Sequence, residues 1–551
     1  MAEIGYKKLS ANGGFYVYDT ATNDIVKVDQ TVYTILDDYF THTSHALKDK
    51  YSRKMAEADL KSAMGYLSRA VERGMFKPLL KKDFSMYLDQ GFLKKVLSEN
   101  LRFLLLGVTE QCNQRCRYCV YSGKYPGRRT HSLRRMTWDT AIRSIDYFLA
   151  RNHGEERTSI SFYGGEPLLE WDLVKRCVAH IRRRSSPERL TLSTGTNATL
   201  LNDEMIDFFI ENDVMLFISL DGPARVHDAM RVFRNGRGTH KKVKEALHRI
   251  RHKNERYFQT RVCLLATYDE QYDLLDLCRY FSQGLLKDVS ARMNHVRDLE
   301  TCARSISEPE SRGYQESLDR LLEAYLEGLR GNAAFNFSLI SSVFPRVFRL
   351  IPQREIAPAH VMARPNRACI PGISQLFVSA DGLFYPCNHF CFPGYDIGDC
   401  RTGIDVEKVY RVLETYVDFC DDMCQGCWAY RLCWHCFVQA VENGRLSQKK
   451  KAENCVKEKQ NIVYDLKRFI YLLENEPKSA LDNKFSLTAR LRRINYLKKQ
   501  KKEKDQGAKG GSRLRINDLP DESNLKVNKE QKRYKANQPT EFFDKSPLTR
   551  V

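Results

Sequence analysis

Short apolar runs alternate along the middle of this chain with stretches whose apolar positions recur every three or four residues, the marks of buried strands and amphipathic helices. Strands are expected at Leu101–Thr109, Ser159–Tyr163, Leu190–Thr194, Met215–Leu220, Gln259–Leu265 and Val289–Met293. Helices are expected between them at Trp138–Arg151, Glu170–Arg184, Asp203–Asn212, Lys241–Asn254 and Tyr272–Leu285. Strands separated by helices imply parallel pairing with right-handed crossovers. The expected class is therefore α/β, a partial (β/α)6 barrel over residues 96–300. Ligands of such sheets bind beyond the strand C-termini. Cys112, Gly164 and Ser219 fall at or just past three of those ends.

Different patterns flank this alternation. In residues 1–95, Phe15–Tyr18 and Ile25–Val28 read as short strands joined by the turn-rich Asp19–Asp24. Helical spacing follows at Thr31–Tyr39 and Ala58–Arg73, with Gly74 placed to end the second helix. Residues 301–368 read as a helical bridge that becomes irregular towards Ile351–Pro365. Residues 369–475 are rich in cysteine and end in helical spacing at Ala452–Leu473. A basic tail at 497–551 reads as disordered.

Composition narrows the class. The chain has 551 residues, 42% of them hydrophobic, with 28 Phe and 28 Tyr, which is a multidomain globular composition. No apolar stretch reaches membrane-spanning length and no signal pattern opens the sequence, so a cytoplasmic protein with no membrane partner is expected. The formal charge is +20. From Glu476 onward there are 20 Lys/Arg against 10 Asp/Glu, so half of that excess lies in the last 76 residues, and the charge alone is a weak sign of nucleic acid.

The 17 cysteines argue for metal ligation over disulfides in a cytoplasmic protein. Cys112, Cys116 and Cys119 follow the first barrel strand in a C-x3-C-x-Tyr-C pattern that includes Tyr118. Three thiolates so close cannot complete a four-cysteine zinc site, yet they can hold three corners of a cubane and leave one iron open. A partial zinc site is the competing reading.

This motif resembles that of radical S-adenosylmethionine (SAM) enzymes, and further motifs agree. Gly164-Gly165-Glu166-Pro167 matches the family's GGEP loop, which holds the SAM amino group. Thr196, Asn197 and Ser219 match positions that contact the SAM ribose and carboxylate. Arg231 matches a guanidinium that meets the carboxylate, a role suited to its planar fork. The resemblance implies that SAM chelates the open iron of a [4Fe-4S] cluster and is cleaved to a 5′-deoxyadenosyl radical.

The C-terminal cysteines resemble the SPASM extension, which carries two auxiliary [4Fe-4S] clusters. By that resemblance Cys424, Cys427, Cys433 and Cys455 ligate the distal cluster, and Cys369, Cys387 and Cys436 the proximal one. Two residues separate Cys433 from Cys436 where the family has three. The fourth proximal position stays open among Cys391, Cys400, Cys420 and an outside ligand; a zinc-ribbon-like double site is the alternative. Related sulfatase maturases carry a basic Asp after the cysteine equivalent to Cys387. Asn388 stands there instead, which disfavours that branch, and His389 is the candidate replacement base.

The strand–strand–helix–helix order of residues 1–95 resembles winged-helix modules that bind the leader of a ribosomally made peptide as an added strand. The expected function is thus a radical SAM peptide maturase that abstracts hydrogen from a precursor peptide or protein and forms a cross-link, a thioether before a carbon–carbon bond. A flavodoxin- or ferredoxin-like electron donor is the expected second partner. Alternatives are oxidation of Cys or Ser to formylglycine, and a metal-containing protein that binds or modifies nucleic acid.

Overall fold

The computed structural model describes residues 4–125, 127–152, 157–295, 312–331, 336–354 and 368–476. The expected tail at 497–551, Cys302 and parts of the 301–368 bridge lie outside these residues.

Three strands open the chain, β1 (Tyr6–Ala11), β2 (Gly14–Asp19) and β3 (Asp24–Val28), paired as an antiparallel meander. Asn12 and Gly13 both take positive φ, 51° and 72°, which suits a two-residue hairpin turn. The strand β1 is additional to the sequence expectation, because Lys7, Lys8 and Ser10 hide its alternation. Helices α1 (Gln30–Tyr39), α2 (Ser44–Tyr51) and α3 (Glu57–Glu72) follow. Asp29 caps α1 by accepting from Val32 N at 2.7 Å, and Gly74 leaves α3 at φ 93°. α2 went unexpected because its face is short; Thr43 caps it.

The helix α4 (Gln90–Glu99) leads into the main sheet. Its strands are β4 (Phe103–Thr109), β5 (Thr158–Gly164), β6 (Leu190–Thr196), β7 (Val214–Ser219), β8 (Val262–Tyr268) and β9 (Ser290–His295), all parallel and in sequence order. Helices α5 (Trp138–Leu149), α6 (Trp171–Arg182), α7 (Asp203–Glu211), α8 (Ala224–Met230), α9 (His240–Lys253), α10 (Glu255–Arg261) and α11 (Leu274–Phe281) intervene. The expected α/β partial barrel is present. One boundary differs: Gln259–Arg261 are helical, because Asn254 caps α10 through Tyr257 N at 2.8 Å, and β8 starts only at Val262.

Side chains of the strands alternate between two cores. Leu104, Leu106, Ile160, Phe162, Leu192, Leu216, Ile218 and Leu264 pack outward under the helices. Phe103, Leu105, Met215, Phe217 and Cys263 gather on the other, inner face with Tyr163 and Leu265 against them. This is the period-two pleat of a sheet covered on both sides.

Beyond the barrel come α12 (Arg312–Gly331), α13 (Phe337–Val343) and the short α14 (Ile351–Gln353). The cysteine-rich region then adds two strands to the same sheet. β10 (Leu376–Val378) pairs parallel to β4, with Phe377 opposite Leu105, and β11 (Phe384–Tyr385) pairs antiparallel to β10. These two are additional to the six expected strands, because they are only three and two residues long. Two long helices close the described chain, α15 (Val406–Cys424) and α16 (Gln448–Asn475). Among the described residues no helix is long and apolar enough to cross a membrane.

Candidate functional site

The first site forms where β4 and β5 end. A Cβ on Gly164 would lie 2.2 Å from Thr109 O, and one on Gly165 1.9 Å from Gln111 O. Glycine alone permits that approach. It lets Gly165 N donate to Thr109 O and Glu166 N to Gln111 O, each at 2.8 Å, which fixes the loop that carries Cys112, Cys116 and Cys119. The far side of this loop is held by α8 and its exit: Arg115 N donates to Val232 O and Arg117 N to Met230 O.

Glu166 is 1% exposed and accepts from Leu168 N at 3.2 Å, Thr196 Oγ1 at 2.7 Å and Asn197 N at 2.8 Å. Burial still pushes its carboxyl up to about 6. Asn197 Nδ2 reaches Asn113 Oδ1 at 2.8 Å and points at Cys112 Sγ from 3.9 Å. Ser219 is the last residue of β7, half-buried. Arg231 Nη1 stands 3.8 Å from Cys116 Sγ, while its Nε is paired with Asp221. His389 is half-buried in the turn closed by Phe390 N donating to Cys387 O at 3.1 Å.

The chemistry of the donor set suits an iron–sulfur cluster. Burial pushes Cys112 up to about 12 and Cys119 to about 11, and raises Cys116 as well. Thiolates so placed need a cationic partner, which the irons of a cluster supply. Gln114 N at 3.4 Å from Cys112 Sγ and Arg231 add the hydrogen bonds to sulfur that cluster thiolates receive. Among the described residues no three His, Cys, Asp or Glu side chains gather tightly enough for a single metal ion; a cubane takes its thiolates at separate corners.

Two further residues enter the site, Asp221 from the Ser219–Pro223 stretch and Arg129. Asp221 is fully buried and accepts from Tyr118 OH at 2.6 Å, Arg231 Nε at 2.9 Å and Thr267 N at 2.9 Å. Its signal was available as an acid between a strand end and Gly222-Pro223. Arg129 was invisible, because its meaning depends on a contact across the fold. Its Nη2 lies 3.3 Å from Tyr121 OH and 3.5 Å from Cys391 Sγ. Its guanidinium covers Phe377 at 4.4 Å.

The C-terminal cysteines divide into groups. Burial raises Cys433, and the nearby sulfurs of Cys455 and Cys427 add to that shift. Cys424 and Cys427 act likewise on Cys455. Cys387, pushed up to about 12 by burial, feels Cys436 next. Cys369, Cys387 and Cys436 pack against an apolar cluster around Phe390, Tyr416 and Phe437, which also takes in Cys420, Cys424 and Cys427. The three cysteines left open lie apart from one another: Cys420 beside Cys424, Cys400 against Gly382, and Cys391 on the inner barrel face. Cys391 packs with Phe377 and Tyr385 on the inner barrel face, with Tyr163 of β5 against them, so the turn after Cys387 meets the barrel.

Known proteins are similar to this chain. Residues 106–278 match the model of the Radical SAM superfamily. The cysteine-type anaerobic sulfatase-maturating enzyme of Clostridium novyi is 22% identical over 366 residues, which cover 61% of this chain and 87% of that enzyme. The radical SAM cyclopropyl synthase TigE of Paramaledivibacter caminithermalis is 20% identical over 303 residues, 51% of this chain and 61% of that enzyme, less than two thirds of its length. The solved structure of native anSMEcpe with bound AdoMet superposes with a TM-score of 0.52 at 20% identity, covering 68% of this chain and 100% of that one; it shows a common fold. The superfamily implies SAM and a [4Fe-4S] cluster as cofactors, and maturases are among the relatives. Residues 106–278 are thus a radical SAM domain, and the chain is a radical SAM enzyme.

Proposed function

We propose that this enzyme matures a ribosomally made peptide or protein, abstracting hydrogen from it and closing a cross-link, a thioether ahead of a carbon–carbon bond. The observation that carries the reading is that Cys391, four residues after Cys387, packs with Phe377 and Tyr385 on the inner barrel face, with Tyr163 of β5 against them. It brings the proximal cysteines to the mouth of the barrel whose strand ends hold Cys112, Cys116 and Cys119. A substrate at that mouth faces both groups at once.

In this reading Cys112, Cys116 and Cys119 hold the radical-generating cluster. Gly164, Gly165, Glu166, Thr196, Asn197, Ser219, Arg231 and the ring of Tyr118 line the SAM site. The superfamily's cluster supplies the electron that cleaves SAM. Cys424, Cys427, Cys433 and Cys455 hold a distal auxiliary cluster, and Cys369, Cys387 and Cys436 a proximal one whose fourth position is open to a substrate thiolate. Residues 1–95 serve as the leader module, 96–300 as the barrel, 301–368 as the bridge and 369–475 as the auxiliary domain. A flavodoxin- or ferredoxin-like protein donates electrons, and the enzyme works in the cytoplasm.

Oxidation of a Cys or Ser side chain is the second reading, favoured by the sulfatase-maturating relative. An amide at Asn388 takes up no proton at neutral pH, so that reading needs His389 as base.

The test is anaerobic incubation with SAM, a reductant and candidate short Cys-rich precursor peptides. Cross-linking lowers the peptide mass as 5′-deoxyadenosine accumulates. Full mass loss in a precursor stripped of cysteine excludes the thioether.

A further inference from the structure

Lys451 lies in the first turn of α16, one helical turn before Cys455, and is 1% exposed. Its Nζ stands 3.4 Å from Cys424 Sγ and 3.8 Å from Cys455 Sγ, with the ring of Tyr416 5.7 Å away. Among the described residues no carboxylate pairs with it.

A buried ammonium is costly unless an anion or several acceptors face it. The helix makes this worse, since the N-terminal end of α16 carries partial positive charge and disfavours a lysine there. The acceptors on hand are sulfurs. Cys420, itself fully buried, adds a third beside Cys424. A neutral thiol is a weak acceptor, so the position makes sense only if Cys424 and Cys455 are thiolates.

We propose that Lys451 is a positioning residue for the distal cysteine set: it donates hydrogen bonds to Cys424 and Cys455 and raises the reduction potential of the cluster they hold. This rests on the reading that Cys424, Cys427, Cys433 and Cys455 ligate an iron–sulfur cluster. One-electron reduction adds one negative charge and no proton to that group. An ammonium in hydrogen-bond contact therefore stabilises the reduced form more than the oxidised one, a lever known to tune such clusters. The lysine thus favours this end of the molecule as the resting place for an electron.

The experiment uses the full chain, purified anaerobically with its clusters. Cys112, Cys116 and Cys119 are all changed to Ala, so that a redox titration followed by electron paramagnetic resonance reads the auxiliary centres alone. Lys451→Met keeps the apolar stem and removes the charge; Lys451→Arg keeps the charge. In Lys451→Met one midpoint falls by at least tenfold in its reduction equilibrium, about 59 mV for one electron, while Lys451→Arg stays at the parent value. Unmoved midpoints in Lys451→Met overturn the proposal, and so does an equal fall in Lys451→Arg. If Lys451→Met sheds iron, Lys451→Arg with parental iron and midpoint supports the charge role, and iron loss in both overturns it. Cys424→Ala separates the underlying reading: parental iron content there means that the distal set holds no cluster.

Discussion

Arg231 Nε lies 2.9 Å from Asp221 Oδ2, joining a guanidinium at the cysteine loop to a carboxylate wholly shut off from solvent. One Arg231 fork edge is thus committed to the protein, and Nη1 is turned to Cys116 Sγ. Arg231→Ala leaves Asp221 charged and buried with only Tyr118 OH and Thr267 N as donors. Losing one partner of a buried pair costs about 3–5 kcal/mol. The variant is expected to unfold at correspondingly lower denaturant and to bind SAM at least tenfold more weakly by equilibrium dialysis. Arg231→Lys keeps charge but not the fork, so it should recover part of the stability. Wild-type stability in Arg231→Ala would remove Asp221 from the site.

The glycines of the β5 loop are predicted to differ sharply from a neighbour. A methyl group on Gly165 meets Gln111 O at 1.9 Å, a backbone atom that cannot move without the cysteine loop, whereas one on Gly195 finds nothing nearer than Tyr163 Cδ2 at 4.0 Å. Gly165→Ala should lose about four irons per chain, one cubane, and with them 5′-deoxyadenosine production. Gly195→Ala should keep its full iron content. Iron analysis of the two purified variants decides the matter.

Glu166 makes a pH prediction for the chain without its cofactors. Its carboxyl is raised from 4.5 to about 6, first by burial, against the three donors that lower it. The folded state therefore holds a proton that the unfolded state has released between those values. Stability falls as pH rises from 4.5 through about 6, by about 2 kcal/mol in all for a shift of this size. Urea midpoints measured across that range should show this slope in the wild type, and Glu166→Gln should lack that part of it. An equal slope in both places the titration elsewhere.

What the sequence made legible followed from local chemistry. The strand ends, the cysteine triplet and Gly164-Gly165-Glu166 each lie within a few residues, so spacing alone exposes them. β10 and β11 were not legible, because segments of three and two residues become strands only by joining β4. Arg129 was missed for a related reason: a contact with Cys391 is a property of distant segments brought together. The placement of residues 1–95 was equally hidden. Thr20 Oγ1 donates to Trp428 O at 2.7 Å, and Arg431 reaches Ala21 O at 3.2 Å, within the segment between Cys427 and Cys433.

That contact predicts dependence of the distal cysteines on the N-terminal module. The turn Asp19–Asp24 grips the residues that set the spacing of Cys427 and Cys433, and Lys82 N donates to Gln425 Oε1 at 2.7 Å from the other side. Arg431 is 5% exposed, so Arg431→Ala removes a buried clamp. It should speed proteolytic release of the N-terminal module and lower iron content by up to one cubane, about four irons. Retained iron with unchanged proteolysis would make the module an independent attachment.

Cys391 tests how the proximal site is completed. Its thiol packs with Phe377 and Tyr385 on the inner barrel face and receives Arg129 Nη2 at 3.5 Å and Arg128 Nη1 at 4.0 Å. Phe390 and Phe392 on either side of it instead join the apolar cluster that carries Cys369, Cys387 and Cys436. Successive side chains therefore point opposite ways: Cys391 faces the inner barrel, while its Sγ also donates to Asn388 O at 3.1 Å and it adds to the upward shift of Cys387. Cys391→Ala should keep its iron content and its cluster spectra, whereas Cys387→Ala should lose about four irons. Product formation should fall in both, since Cys391 and its two arginines line the approach to Tyr163. Iron loss in Cys391→Ala equal to that in Cys387→Ala would instead make Cys391 the fourth ligand, and the proximal cluster would then have no position left for a substrate thiolate.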